Sequence, residues 1–392
     1  MARSMDAKRP SFLNDLRARG LFYQALLVIS IGVLFTGAAY NAIVNMKARG
    51  IPMGFAFWNQ VAGFEINLHL IDYSGASTYG RAFWVGVLNT LMIAVISIPL
   101  ATLLGFSIGV ARLSSNWLLS RVAQLYTIIF RNTPLLLLLL FWYNAVLRSL
   151  PAPRESINIR DVVFLNGRGL YLPKPILQPE AVWFVGAIAV AIAAAVAFRA
   201  WALKRQNLTG ERAPIGLVAS AMIIGLPLIA AVIAGAPLKF DYAELSGFNL
   251  KGGLQILPEM AALLAGLVTF TAAFIAEIVR AGVLAVSRGQ TEAASALGLH
   301  QGMTTKLVVM PQAMRLITPP LTSQYLNVVK NSSLAVFIGY PDLVQIFAGT
   351  VLNQTQAAVQ VMAITMAVYL TISLAVSAAI NAYSAHYALV ER

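Results

Sequence analysis

The sequence predicts an all-α, polytopic membrane helix bundle of about eight transmembrane helices. Two observations carry that prediction. Hydrophobic residues make up 59% of the 392 residues and charged residues only 11%, with mean hydropathy +0.75. A soluble domain carries roughly a quarter charged residues. In addition, long uncharged stretches recur along the chain, each near the roughly 20 residues that a helix needs to cross the hydrocarbon core. This composition excludes a soluble globular protein, a disordered chain and a fibre. The net charge of +13 does not point to nucleic acid, because Lys and Arg punctuate the apolar stretches instead of forming a run. That placement marks topology determinants. With no cysteine, disulfides, thiolate chemistry and Cys-ligated metals are excluded. His69, His300 and His386 are too scattered to suggest a metal site.

Spans are expected at about 21–44, 83–110, 123–147, 181–201, 214–235, 257–282, 318–345 and 358–388. The first lies between Arg19 and Lys47 and is longer than the apolar region of a signal peptide, so it reads as an extra, uncleaved N-terminal transmembrane helix. Residues 1–20 before it, with Arg3, Lys8, Arg9, Arg17 and Arg19, read as a cytoplasmic N-terminus. The second span carries Gly105 and Gly109, a small-xxx-small packing surface. The pair at about 181–235 is Ala/Ile/Val-rich and nearly free of polar side chains, which suits lipid-facing or scaffolding helices. Lys330 and Pro341 interrupt the stretch at 318–345, whereas no formal charge occurs between Asp342 and Glu391. Counting sides alternately places more Lys and Arg inside than outside and returns both termini to the cytoplasm. The segments 45–82 and 148–180, marked by Gly and Pro, read as external loops. Trp84, Trp142 and Trp183 are expected as interfacial belt residues.

The segment 285–317 is too polar to span a membrane, yet its pattern is not that of a flexible linker. Thr291 is placed to cap a short helix with Glu292 in its first turn, Ala293, Ala294 and Ala296 favour the helix, and Gly298 ends it. A second amphipathic stretch runs from Thr304 to Met310, and Pro311 is expected to change the chain's direction. Two short helices meeting near Gly298 would form a compact knob suited to dock in another protein. A merely connecting or re-entrant loop fits the same residues.

Glu292-Ala293-Ala294, three residues, Gly298, nine residues and Val308-Val309-Met310-Pro311 resemble the EAA loop of ABC-importer permeases. In that pattern Val308 and Met310 replace Ile and Leu. Phe130-Arg131-Asn132-Thr133-Pro134-Leu135 resembles the FRGTPL segment of the polar-amino-acid permeases, with Asn132 where Gly is usual. The stretch from Ala272 to Arg280 resembles their AAYLAEIxR helix, and Lys330-Asn331-Ser332-Ser333-Leu334 their KDTSL segment. The extra N-terminal span and the helices inserted after the FRNTPL segment resemble the long permease subunit of general L-amino-acid ABC importers.

The resemblance implies a type I importer permease core over 83–388, with peripheral helices at about 181–235 and a cytoplasmic coupling loop at 285–317. It implies a subunit that translocates amino acids across the bacterial inner membrane and is not itself an enzyme. Its partners would be ABC ATPase subunits, a second and unlike permease subunit, a periplasmic amino-acid-binding protein and membrane lipids. No G-x-x-x-x-G-K-[ST] loop occurs in the chain, so ATP and Mg are expected on the partner ATPase, with no cofactor or metal held here and no catalytic residue. Glu292, Ala293, Ala294, Gly298 and Pro311 are then the expected ATPase-coupling residues. The bland reading of Glu292 is a solvated helix-start carboxylate.

Charges inside a span are costly, about 2.5–3.5 kcal/mol at mid-helix on insertion scales. Glu277 and Arg280 stand three apart on one helix and are expected to pair. Lys330, Asn331, Ser332 and Ser333 could line a translocation path or bind helix ends together, and Asn89 and Thr90 are further path candidates. The competing function is an ion-coupled secondary amino-acid carrier that works alone. Against it stand few intramembrane carboxylates and no detectable repeat. An intramembrane enzyme finds no support in H-E-x-x-H or G-x-S-x-G motifs.

Overall fold

The computed structural model describes residues 16–177, 181–210, 213–233 and 238–387. In chain order the helices are α1 (Leu16–Ala48), α2 (Tyr79–Ala111), α3 (Trp117–Asn132), α4 (Leu135–Leu140), α5 (Ala181–Thr209), α6 (Ile215–Ile233), α7 (Pro258–Leu284), α8 (Arg288–Ala296), α9 (Gln301–Thr304), α10 (Met310–Asn331), α11 (Leu352–Thr355) and α12 (Ala358–Tyr387). Among the described residues five helices are long and apolar enough to cross a membrane: those over 19–48, 79–111, 186–209, 258–284 and 358–382. A sixth span results if α3 and the helix over 135–147 are counted together. Residues 1–15, whose basic residues entered the orientation argument, Arg212, Pro179 and the C-terminal Glu391 and Arg392 lie outside the described residues.

Three of the expected spans, 123–147, 214–235 and 318–345, fall short of a single long apolar helix among the described residues. The expected span 123–147 is broken. Thr133 precedes a proline and takes an extended conformation (φ −96°, ψ 127°), which ends α3. The chain then turns by 106° into α4 and a π-helical turn over Phe141–Leu147. The expected span 318–345 is not one helix either. α10 starts at Met310, and the chain tightens into a 3-10 turn over Ser332–Ile338 before Gly339 takes a left-handed conformation. In α6 the apolar run covers only 215–230, about 24 Å of helix.

The molecule divides into two compact units. The first comprises residues up to Met92 together with 341–386. Its core is aromatic: Phe57, Tyr73, Tyr79 and Phe83 pack with Leu343, Phe347, Val351 and Val361. Trp58 stacks near Phe83 and Phe347. The segment 45–82 is thus a folded cap held by its own aromatic side chains. α1 belongs to this unit and is exposed along its described length apart from Met46.

The second unit covers 93–340. α7 is its central helix, with 56% of its most apolar window buried, and it packs against α3, α4 and α10. Ile275 and Val279 of α7 meet Ala313, Ile317 and Leu321 of α10 in one apolar cluster. Gly105 and Gly109 of α2 let its backbone approach α7. A Cβ at those positions would stand 2.6 Å from Ile275 Cβ and 2.8 Å from Val279 Cβ.

The segment 148–180, expected as a loop, forms strands with residues far along the chain. β1 (Ile157–Ile159), β2 (Val163–Asn166), β3 (Gly169–Leu172), β4 (Lys174–Leu177), β5 (Leu238–Asp241), β6 (Glu244–Ser246), β7 (Asn249–Lys251) and β8 (Leu254–Ile256) build this module. A four-stranded antiparallel sheet runs β1-β2-β3-β8, while β4 pairs with β5 and β6 with β7. Registers such as Leu170↔Ile256 and Leu177↔Leu238 close around the α5–α6 hairpin. Strands of three or four residues are too short to show a two-residue alternation, and β3–β8 and β4–β5 join residues about 60 to 86 apart. Lys174 faces Asp241 and Glu244 faces Lys251 in register, oppositely charged pairs of the kind that favour one strand alignment.

Candidate functional site

The knob at 285–310 is built by backbone geometry that its sequence specifies. Ser287 precedes α8, and Thr291 lies inside the helix, its hydroxyl donating to Arg288 O at 2.7 Å. The cap expected of Thr291 is therefore not formed: α8 starts four residues upstream at Ser287, whose side chain makes no capping bond, and Glu292 sits beyond the first turn. At the other end, Gly298 takes φ +77°. Its N–H donates to Ser295 O at 2.9 Å, and Leu299 N–H donates to Ala294 O at 3.1 Å. These two bonds are the Schellman pattern, which satisfies the last carbonyls of a helix and needs a residue that tolerates a left-handed backbone. His300 Nδ1 then accepts from Met303 N and starts α9.

Pro311 does not turn the chain. From Thr304 to Met310 the backbone keeps helical dihedrals through a π-helical turn, and Pro311 enters as the second residue of α10. A proline in a first turn removes a donor that has no regular partner there. Gln312 Nε2 reaches Gln290 Oε1 at 3.1 Å and ties α10 to α8. Ala294 is buried, whereas Glu292, Ala293 and Pro311 are exposed. Leu297 is 82% exposed, and Met303 and Leu307 are exposed as well. The knob thus presents the Glu292 carboxylate, the Arg288 and Lys306 cations and these three apolar side chains.

A charged cluster lies near the C-terminal end of α7. Glu277 pairs with Arg280 at 2.6 Å and also hydrogen-bonds Arg112, while Arg131 Nη1 stands 3.6 Å away. The expected local pair is thus part of a larger constellation. Arg112 was not legible as a partner because it is 165 residues from Glu277, beyond any helical spacing rule.

The path candidates are placed in different surroundings. In the first unit, Asn89 Nδ2 donates to Leu68 O and Pro341 O, both at 2.8 Å. Thr90 Oγ1 donates to Gly86 O and accepts from Leu343 N. Asn89 thus ties the cap at Leu68 and the turn at Pro341 to α2, and Thr90 ties Leu343 to it. In the second unit, the Ser332 hydroxyl donates to Val329 O at 2.8 Å and that of Ser333 to Lys330 O at 2.6 Å. Lys330 is exposed and Asn331 half-buried. Asp342 was not singled out beforehand. Fully buried, it accepts from Gln345 N at 2.8 Å and from the Tyr369 hydroxyl at 3.1 Å, which pins the turn before the helix over 344–351.

Residues 101–387 match the family model described as binding-protein-dependent transport system inner membrane component. The chain belongs to that family. This permease is similar to the putative amino-acid ABC transporter permease protein YhdX of Escherichia coli (strain K12), with 49% identity over 97% of either chain. It is 46% identical to the general L-amino acid transport system permease protein AapQ of Rhizobium johnstonii, over 97% of this chain and 95% of that one. It is also 38% identical, over the whole of both chains, to the glutamate/glutamine/aspartate/asparagine transport system permease protein BztB of Rhodobacter capsulatus. The family and the membrane-crossing helices make it a multi-pass inner-membrane protein and a transport component of an ABC system. The permease family covers α3 to α12 and the knob; α1 and the cap at 45–78 precede the matched residues.

Proposed function

We propose that this chain is the subunit through which an ATP-driven importer moves amino acids across the inner membrane. In this reading a separate ATPase, which binds ATP and Mg, grips the knob at α8 and α9. The observation that carries it is the exposure of Glu292, Leu297, Met303 and Leu307 on one knob whose direction is set by Gly298. Large apolar side chains left exposed on a polar knob suit a protein groove better than water. Ala294 serves by packing inward, and Pro311 by continuing the knob into α10.

The amino-acid substrate class rests on the names of the relatives. A second permease subunit and a periplasmic binding protein complete the assembly. Both termini and the knob face the cytoplasm and the β-module faces outward. Among the path candidates the geometry favours Lys330 and Asn331, because the hydroxyls of Ser332 and Ser333 and the amide of Asn89 serve backbone groups.

The test is amino-acid uptake in cells lacking the native gene, complemented with this chain or with Glu292→Ala, with ATPase co-purification scored alongside. Loss of both in the variant, at normal membrane levels, supports the coupling role. Full uptake by the wild-type chain without any associated ATPase overturns it in favour of an ion-coupled carrier.

A further inference from the structure

Three guanidinium groups share one carboxylate near the end of α7. Arg112, Arg131 and Arg280 all approach Glu277, and a single negative charge leaves two positive charges uncompensated within that group. Arg112 is the inner member, with its side chain 13% exposed, whereas Arg131 is 40% exposed. The Arg131 guanidinium lies 5.3 Å from the ring centre of Phe274, which steadies it while leaving its outer edge open. Its contact with Glu277, at 3.6 Å, is the longest of the three.

The helix that carries Arg131 has the form of one lying in a membrane surface. α3 starts on an Asn116 cap and turns 106° from the helix that follows. Ala123 and Thr127 are buried on its inner side, while Leu118, Val122, Leu125 and Ile129 form an exposed stripe at three- and four-residue spacing. Arg121, Gln124 and Arg131 follow a polar edge beside that stripe, and Trp117 stands exposed at the start. A helix with a lipid-facing apolar stripe, a basic edge and a flanking Trp sits at the boundary between headgroups and acyl chains. Arg is suited to phosphate there because its planar fork donates two parallel hydrogen bonds.

We infer that the Arg112–Arg131–Arg280 cluster holds the phosphate of an anionic phospholipid, with the acyl chains lying along the exposed stripe of α3. Arg131 makes the contact. Arg112 and Arg280 occupy Glu277, so that the carboxylate does not repel the ligand. The inference needs only the membrane placement of α3 and is independent of the coupling role of Glu292.

The experiment uses the full-length permease purified with its associated subunits and placed in nanodiscs of phosphatidylcholine containing graded phosphatidylglycerol. Retained lipid is counted by native mass spectrometry, and size-exclusion elution checks the fold. The wild type retains phosphatidylglycerol in preference to phosphatidylcholine. Arg131→Gln lowers that preference about fivefold, the weight of one basic residue at an anionic surface, and Arg131→Lys keeps most of it. Should Arg131→Gln not fold, Leu125→Gln on the exposed stripe carries the test and lowers retention by roughly threefold through lost acyl contact. Equal retention by wild type and variants overturns the proposal. So does displacement by inorganic phosphate alone, which would make the cluster a site for the free ion.

Discussion

Gly298 holds the turn of the knob in a left-handed conformation with open space around its Cα. A side chain there meets no neighbour, so any penalty comes from the backbone alone, about 1–2 kcal/mol for an ordinary residue. Gly298→Val is expected to lower ATPase co-purification and uptake at normal membrane levels, while Gly298→Asn, which tolerates this conformation, keeps most of both. Gly105 presents the opposite case. Its dihedrals are helical, and what excludes a side chain is Ile275. Gly105→Leu overpacks that contact and costs about 1–3 kcal/mol, read as a lower Tm of the purified permease in detergent. Removing Glu277 strands three partly buried guanidinium groups. Glu277→Ala is expected to cost about 1–3 kcal/mol, because water reaches this cluster, again as a Tm shift. An unchanged Tm would show that the carboxylate does not hold the cluster together.

At the scale of elements, the α5–α6 hairpin enters and leaves between two paired strands. Leu177 of β4 and Leu238 of β5 are partners in an antiparallel register, the geometry that a two-residue turn closes. Replacing 178–237 with Asn-Gly is therefore expected to keep the β-module folded. Because β4 and β5 pair, both ends of the hairpin lie on one side, and its removal leaves the remaining helices their orientation. Normal membrane levels and uptake would mark α5 and α6 as peripheral. Loss of the protein from the membrane would show that they scaffold the second unit. Ala191, Ala195 and Ala202 of α5, all buried, are small residues of the kind that let two helices pack closely.

For the whole molecule, orientation follows from which side each charged segment faces. The chain lacks cysteine, so single cysteines report without interference. With an impermeant maleimide on intact spheroplasts, Val162→Cys in the β-module is expected to label at once. Leu297→Cys in the knob is expected to label only after permeabilisation. The reverse pattern would place the knob outside and exclude its contact with a cytoplasmic ATPase.

Much of this architecture was legible from composition and spacing. A chain with 11% charged residues cannot cover a water-exposed surface, so membrane residence follows from residue counts alone. The stop of α8 at Gly298 was legible because the bonds that shape it span five residues or fewer, as in Leu299 to Ala294, whereas the Gln312–Gln290 tie across 22 residues was not. Local chemistry also ended α3 at Thr133-Pro134, although hydropathy averages over such a break and reads one span. Contacts between distant residues were not legible. Arg112 meets Glu277 across 165 residues, Thr90 accepts from Leu343 N across 253, and β3 finds β8 across the α5–α6 insertion. No periodicity records such pairs, because each is chosen by how packed helices and strands bring separate segments together. By itself, the sequence determined the solvent, the apolar helices and the knob. The tertiary structure alone decided which carboxylate gathers the guanidinium groups, and how two Gly- and Pro-rich segments become a folded cap and a β-module.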